Sequence, residues 1–294
     1  MRLCRSILFI LAALPAALQA GDEVDQQRTV SSDGVVEIQN TRGAVKITGW
    51  EEDVVRISGE LDDLATGLTF EVEDGVTLIR VDMPKRDINH GDGSDLHIRV
   101  PRRSRVEFDG VSTDVVVSEI AGGTGVHSVS GDVRALRLDN RIRIKSVSGE
   151  VDVGQATGKI RVSTVSGDMH LDLDTSEIAV DAVSGEVRLR LGDFDRLTVS
   201  TVSGDQDVAG HLNDSGHVSM RSVNGEMSLR FSDKVNAQID VKTGPGGDIS
   251  NHMTADEPED VFPVQMKLRT TLGDGSGTVT MNTVNGDIKL LSGR

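Results

Sequence analysis

The chain has little with which to cross-link or stack. Of its 294 residues only Cys4 is a cysteine, and it precedes an apolar stretch near the N-terminus. A disulfide framework is excluded, and a lipid anchor on a cysteine at a leader cleavage point is not expected. Without bridges the chain needs a continuous core. There is no tyrosine, one tryptophan (Trp50) and six phenylalanines. Aromatic rings stack on bases and anchor interface hot spots, so their scarcity argues against a nucleic-acid groove and against a ring-lined sugar cleft. Cations are also short, 31 Lys and Arg against 47 Asp and Glu, a formal net charge of −16. Polyanions are repelled on average, and nucleic acid is not an expected partner. Long apolar runs are missing outside residues 1–20. There Arg2 and Arg5 precede an apolar core at 7–18, and Ala20 offers a small residue at the cleavage point, with Leu18 two before it. The run is short for a membrane span. Residues 1–20 are therefore expected to be a cleaved signal peptide, leaving an exported chain with no stable transmembrane segment.

What is present is a phrase, Val-Ser-Gly-Asp/Glu or a near copy. It occurs at Val129-Ser130-Gly131-Asp132 and recurs with glycines at Gly149, Gly167, Gly185, Gly204, Gly225 and Gly286. The glycine steps are 18, 18, 18, 19 and 21 residues, then 61. Such a period is the mark of a repeat architecture. Apolar residues alternate within each repeat. One column is Ile142, Ile160, Ile178, Leu197, Val218, Ile239 and Val279; a second, two residues on, includes Ile144, Val162 and Val180. The valine of the phrase, as in Val147, Val165 and Val183, reads as a third apolar column, and Val133, Val151, Met169 and Val187 as a fourth. A period of two rich in β-branched residues predicts strands with one buried face.

The expected fold is all-β, a parallel β-solenoid or flattened β-helix with two short strands per rung of roughly 18 residues. An antiparallel sandwich gives no reason to repeat one corner in phase. The glycines are expected at corners needing positive φ or close rung-to-rung approach. Residues 21–31 read as a polar N-terminal segment able to cover one end, and 32–292 as a single β-solenoid domain, less regular over 32–113. The 61-residue gap contains a degenerate phrase, Thr243-Gly244-Pro245-Gly246-Gly247-Asp248, then an acidic inserted loop at 251–262 and strands at 264–269 and 277–283. The C-terminus follows the last strand with little obvious cap, which suggests self-association at that end.

The most visible candidate site is the acidic column Asp132, Glu150, Asp168, Glu186, Asp205, Glu226, Asp248 and Asp287. Stacked carboxylates could attract a hard cation such as calcium. The glycine-rich nonapeptides of calcium-binding solenoids are absent, apart from a local echo at Gly273-Asp274-Gly275-Ser276-Gly277. No metal residue, cofactor or catalytic residue is assigned. The seven histidines (His90, His97, His127, His170, His211, His217 and His252) show no zinc-ligand spacing, and there is no nucleophile elbow. A polysaccharide-processing β-helix would need long loops to wall a groove, and only 84–95 and 251–262 are long enough.

Three features together, the leader, Leu96-His97-Ile98-Arg99-Val100-Pro101-Arg102 before the array, and the phased phrases, resemble the bacterial "putative adhesin" family of β-strand repeat proteins, a domain of unknown function. The resemblance covers residues 32–292. It implies a β-solenoid-like fold in an exported protein, periplasmic or in the outer envelope or extracellular, and it brings no catalytic residues. The expected function is a non-enzymatic structural or interaction module of the cell envelope, its partner an unnamed protein or envelope component. A calcium-binding solenoid and a glycan-processing enzyme are the alternatives.

Overall fold

The computed structural model describes residues 22–84, 91–261 and 265–293. The expected signal peptide, residues 85–90 of the loop at 84–95, and Phe262 lie outside them. The strands in chain order are β1 (Glu23–Thr29), β2 (Val35–Trp50), β3 (Val54–Glu60), β4 (Gly67–Glu73), β5 (Val76–Asp82), β6 (Ser94–Pro101), β7 (Arg105–Ser118) and β8 (Thr124–Ser130). Next come β9 (Val133–Leu136), β10 (Arg141–Ser148), β11 (Val151–Ala156), β12 (Lys159–Ser166), β13 (Met169–Leu173), β14 (Glu177–Ser184), β15 (Val187–Ser203) and β16 (Gln206–Asn224). The series closes with β17 (Met227–Phe231), β18 (Ala237–Thr243), β19 (Ile249–Asn251), β20 (Glu259–Val261), β21 (Gln265–Leu272), β22 (Gly277–Asn285) and β23 (Ile288–Ser292).

The array is an all-β repeat fold, solenoid-like in pairing each repeat with the next. Ile142 on β10 pairs in parallel with Ile160 on β12, which pairs with Ile178 on β14 and then Leu197 on β15. A second parallel ladder joins Val133, Val151, Met169 and Val187. Each repeat thus gives one strand to each ladder. In β2, β7, β15 and β16 the strand runs through a turn and serves both. The inward columns of both ladders are buried and form one core cluster. Each valine, isoleucine or leucine buried there contributes roughly 1.5–3 kcal/mol, so the stack is held by many equal layers.

One column departs from expectation. The valine of the phrase does not enter the core. Val111, Val129, Val147, Val165, Val183, Val202, Val223 and Val284 are all 40–51% exposed. The reason is parity. From Ile142 and Ile144 the next inward position is Ser146, so Val147 must point out. The inward place at the corner takes a small residue instead, a hydroxyl one in most rungs and Gly110 or Ala182 in two. Ser128 Oγ donates to the Ser130 carbonyl at 3.1 Å, Ser146 Oγ to Ser148 at 3.1 Å, and Ser222 Oγ to Asn224 at 3.0 Å. These bonds satisfy turn carbonyls at buried positions.

Both ends depart from chain order. On one side of β2 lies β7; on the other lie β5 and β6, although they come later than β2. Outside these, β4 caps β5 and β3 caps β6, both antiparallel, and β1 pairs with β3. The polar segment at 21–31 therefore contributes an outermost strand. At the far end β22 lies between β16 and β18, and β23 between β17 and β19. The degenerate phrase at 243–248 forms the terminal rung, covered by β21 antiparallel on β18, with β20 on β21. The expectation of an uncapped C-terminal rung is corrected: the last strands are internal. The outermost β20 is short and carries exposed Glu259 and Asp260, a composition that resists further edge pairing.

An ion pair fixes the N-terminal end. Arg42 in β2 grips Asp62 with two prongs, Nη2 donating to Oδ1 at 2.7 Å and Nε donating to Oδ2. The Leu64 N–H adds a third bond to Oδ1 at 2.8 Å. Asp62 is only 3% exposed. The Arg42 guanidinium holds its carboxyl at about 2, and that effect outweighs the burial that opposes it.

Candidate functional site

The acidic column follows the corner of each rung, and its carboxylates have work within the fold. Asp114 Oδ1 accepts from the Asp132 N–H at 2.9 Å, and Asp132 Oδ1 from the Glu150 N–H at 3.0 Å. The same bond runs from Glu186 N–H to Asp168, from Glu226 to Asp205 (2.8 Å each), and from Asp248 to Asp287 at 2.9 Å. The short aspartate arm reaches one rung along. The glutamates turn toward cations instead: Glu186 meets Arg188 at 2.6 Å and Glu226 meets Lys289 at 2.6 Å. The column is a rung-to-rung clamp. Asp132→Ala is expected to cost about 1 kcal/mol, and Asp132→Asn much less because the amide oxygen still accepts. Urea midpoints of the two variants would measure the difference.

One group among the described residues gathers possible metal ligands, namely Glu150, Asp152 and His170. His170 Nδ1 lies 3.2 Å from Glu150 Oε1 and 3.7 Å from Asp152 Oδ1. Arg188 Nη1 is 2.9 Å from Nε2. A guanidinium can only donate, so Nε2 accepts and Nδ1 carries the proton toward Glu150. Arg134 reaches Asp152 from the other side at 3.3 Å. The arrangement is a closed chain of donors and acceptors, with a cation at either end. Elsewhere His127 faces Asp109 at 3.2 Å and His211 faces Asp233 at 3.9 Å.

The described parts of the two segments that could wall a groove lie apart. Residues 91–95 lead into β6, beside the N-terminal cap, whereas 251–261 lie at the opposite cap around β19 and β20. The sequence carries no catalytic motif. Among the described residues no helix is long and apolar enough to cross a membrane.

The feature missed in the sequence is the exposed valine ladder. Val111 to Val284 form one stripe across the rungs, because the residues beside each valine are in register with those beside the next. Neighbours are about 4.8 Å apart, so eight valines extend over roughly 34 Å. Counting by two from Ile142 was the signal that could have shown it.

Comparison with known proteins places this architecture. A family model described as Toastrack DUF4097 matches residues 23–209 and 173–291. Among solved structures, one of a putative adhesin from Bacteroides fragilis NCTC 9343 is 14% identical, with 93% of this chain and 100% of that chain covered and a TM-score of 0.48. A putative adhesin from Parabacteroides distasonis ATCC 8503 is 13% identical over 92% of this chain and 97% of that chain, TM-score 0.44. A putative lipid binding protein from the same organism is 13% identical over 93% and 98%, TM-score 0.41. No curated protein matches. The two family matches together run from one cap to the other, and the chain belongs to the Toastrack DUF4097 family.

Proposed function

We propose that this protein is an exported, non-enzymatic interaction module of the bacterial envelope, built as a flattened β-helix with two strands per rung of roughly 18 residues. Residues 1–20 act as its cleaved leader, and the mature chain works in the periplasm or farther out. The observation that carries the reading is the exposed valine ladder. Contiguous apolar patches of several hundred Å² on a soluble domain mark interaction sites, and eight aligned valines reach that size. A fold needing only a soluble corner would place polar residues there, as it does at the neighbouring Ser148 and Ser166.

The test keeps shape and removes apolarity. In Val147→Thr/Val165→Thr/Val183→Thr, β-branching and strand propensity persist. The melting temperature is expected to stay within about 3 °C of the parent, because surface substitutions of this kind change stability little. Envelope association, measured as the share of protein sedimenting with envelope fractions of a deletion strain carrying each form, is expected to fall severalfold. Equal association of the two forms would sink the reading. The mass of the mature protein tests the leader separately.

A further inference from the structure

The two ladders end unevenly at the N-terminal cap. Outward from β2 the first ladder, that of Ile142, carries two more strands, β5 and then β4. The second carries three, β6, β3 and β1. One strand position, beyond β4 and across from β1, therefore holds no strand among the described residues. The step is one strand spacing, about 4.8 Å.

Side chains on both walls of this step are turned toward the core and yet left bare. On β1, Gln26 and Arg28 pair with the buried Ile57 and Val55 and point to the core side with them, but both are exposed. On β4, Phe70 and Val72 point to the core side, paired with the buried Ile79 and Thr77. Phe70 is 7% exposed, whereas Val72 is 42% exposed. Among the described residues, Val72 and Val261 are the only strongly exposed large apolar side chains outside the valine ladder. The Arg28 guanidinium reaches over the Phe70 ring, 5.0 Å from its centroid, so β1 and β4 are facing walls of one slot. Their inward residues are bare because no strand stands opposite.

The strand that borders the slot is suited to receive another. β4 offers seven residues against the three of β20. It has an apolar face, whereas the only buried side chain on β1 is Val24. A second copy cannot pair its own β4 here, because the two overhanging β1 strands would meet before the β4 edges did.

We propose that this slot takes one extended peptide of a partner protein, added as a strand to β4, in which apolar residues alternate with lysine or arginine. The main-chain donors and acceptors of a strand edge select a polypeptide. The apolar residues lie on the core side, beside Phe70 and Val72. The basic residues face outward, where Glu71 and Glu73 are exposed and have the uncharged Leu78 and Val76 as partners on β5. Opposite charges across a strand pair favour this arrangement, and acids in the peptide would oppose it.

The probe is the peptide acetyl-Lys-Val-Lys-Val-Lys-Val-Lys-amide, measured by calorimetry at low salt. Two controls accompany it: the same peptide with glutamate for lysine, and the lysine peptide N-methylated at every residue, which keeps the charge and loses the strand donors. The lysine peptide is expected to bind at least about tenfold more tightly than either control. Hydrogen exchange locates it: the β4 amides not bonded to β5 exchange fast in the free protein and slow at least about tenfold on binding. Glu71→Lys/Glu73→Lys changes two exposed residues and is expected to reverse the preference toward the glutamate peptide. The idea is overturned if the methylated peptide binds as tightly as the lysine peptide, if protection appears away from β4, or if the double variant still prefers lysine. It is also overturned if the outer β4 amides are already protected in the free protein, since the chain then fills the slot itself. The peptide comparison and the exchange pattern use the parent protein, so they decide even where the double variant fails to fold. Val147→Thr/Val165→Thr/Val183→Thr leaves β4 untouched and should bind the lysine peptide as the parent does, so this proposal and the valine-ladder reading fail independently.

Discussion

Gly167→Ala is expected to lower stability by about 4 kcal/mol, the upper range for one substitution. Two costs add. Gly167 sits at φ +133°, a region essentially closed to other residues. Its added Cβ would also lie 2.1 Å from the Gly149 carbonyl oxygen of the preceding rung, a backbone atom that cannot swing aside as a side chain can. Gly246→Ala separates the two effects. Gly246 has φ +82° but open space around it, so only the conformational cost remains, about 1–2 kcal/mol. Urea unfolding of both variants, followed by far-ultraviolet circular dichroism, gives the comparison. Equal losses would mean that rung-to-rung approach is not what selects glycine at the corner.

Arg42→Ala is expected to cost about 3 kcal/mol at neutral pH, since it leaves the buried Asp62 carboxylate without its counter-charge. The pair also predicts an acid step. Asp62 has its folded pKa depressed to about 2 from an ordinary 3.8, so its contribution is complete above about pH 4. It fades as the pH falls toward 2, where the folded carboxylate protonates. The span corresponds to about 2 kcal/mol. Asp62→Asn should cost less than Arg42→Ala, because the arginine can still reach water, and should flatten stability between pH 4 and 2. Thermal midpoints at pH 2, 3, 4 and 7 would show it; an unchanged slope in the asparagine variant would assign the acid sensitivity elsewhere.

The regular part of the fold was readable because one periodicity speaks for it repeatedly. Ile142, Ile160 and Ile178 occupy one column in the sequence and one parallel ladder in the structure. The corner glycines could be read for the same reason. The valine of the phrase could not be placed from hydrophobicity, since Val147 and Ile144 are alike in chemistry and differ only in parity; the structure turns one out and the other in. The ends were illegible for another reason. Nothing local in Val279 or Ile288 says whether its rung stacks outside or inside residues 237–251, because insertion leaves each strand's own pattern unchanged.

The placement of β22 and β23 inside the array has a consequence for how the molecule closes. A stack laid down in chain order could grow one layer at a time and stop anywhere. Here residues 237–251 rest on β22 and β23, and only through them on β16 and β17. The final segment therefore acts as a keystone. Without it, the native seat of the far cap is missing and the edges of β16 and β17 are left unpaired on that side. A chain cut after residue 276 would not merely be one layer shorter; its remaining cap would be separated from the body it is meant to seal.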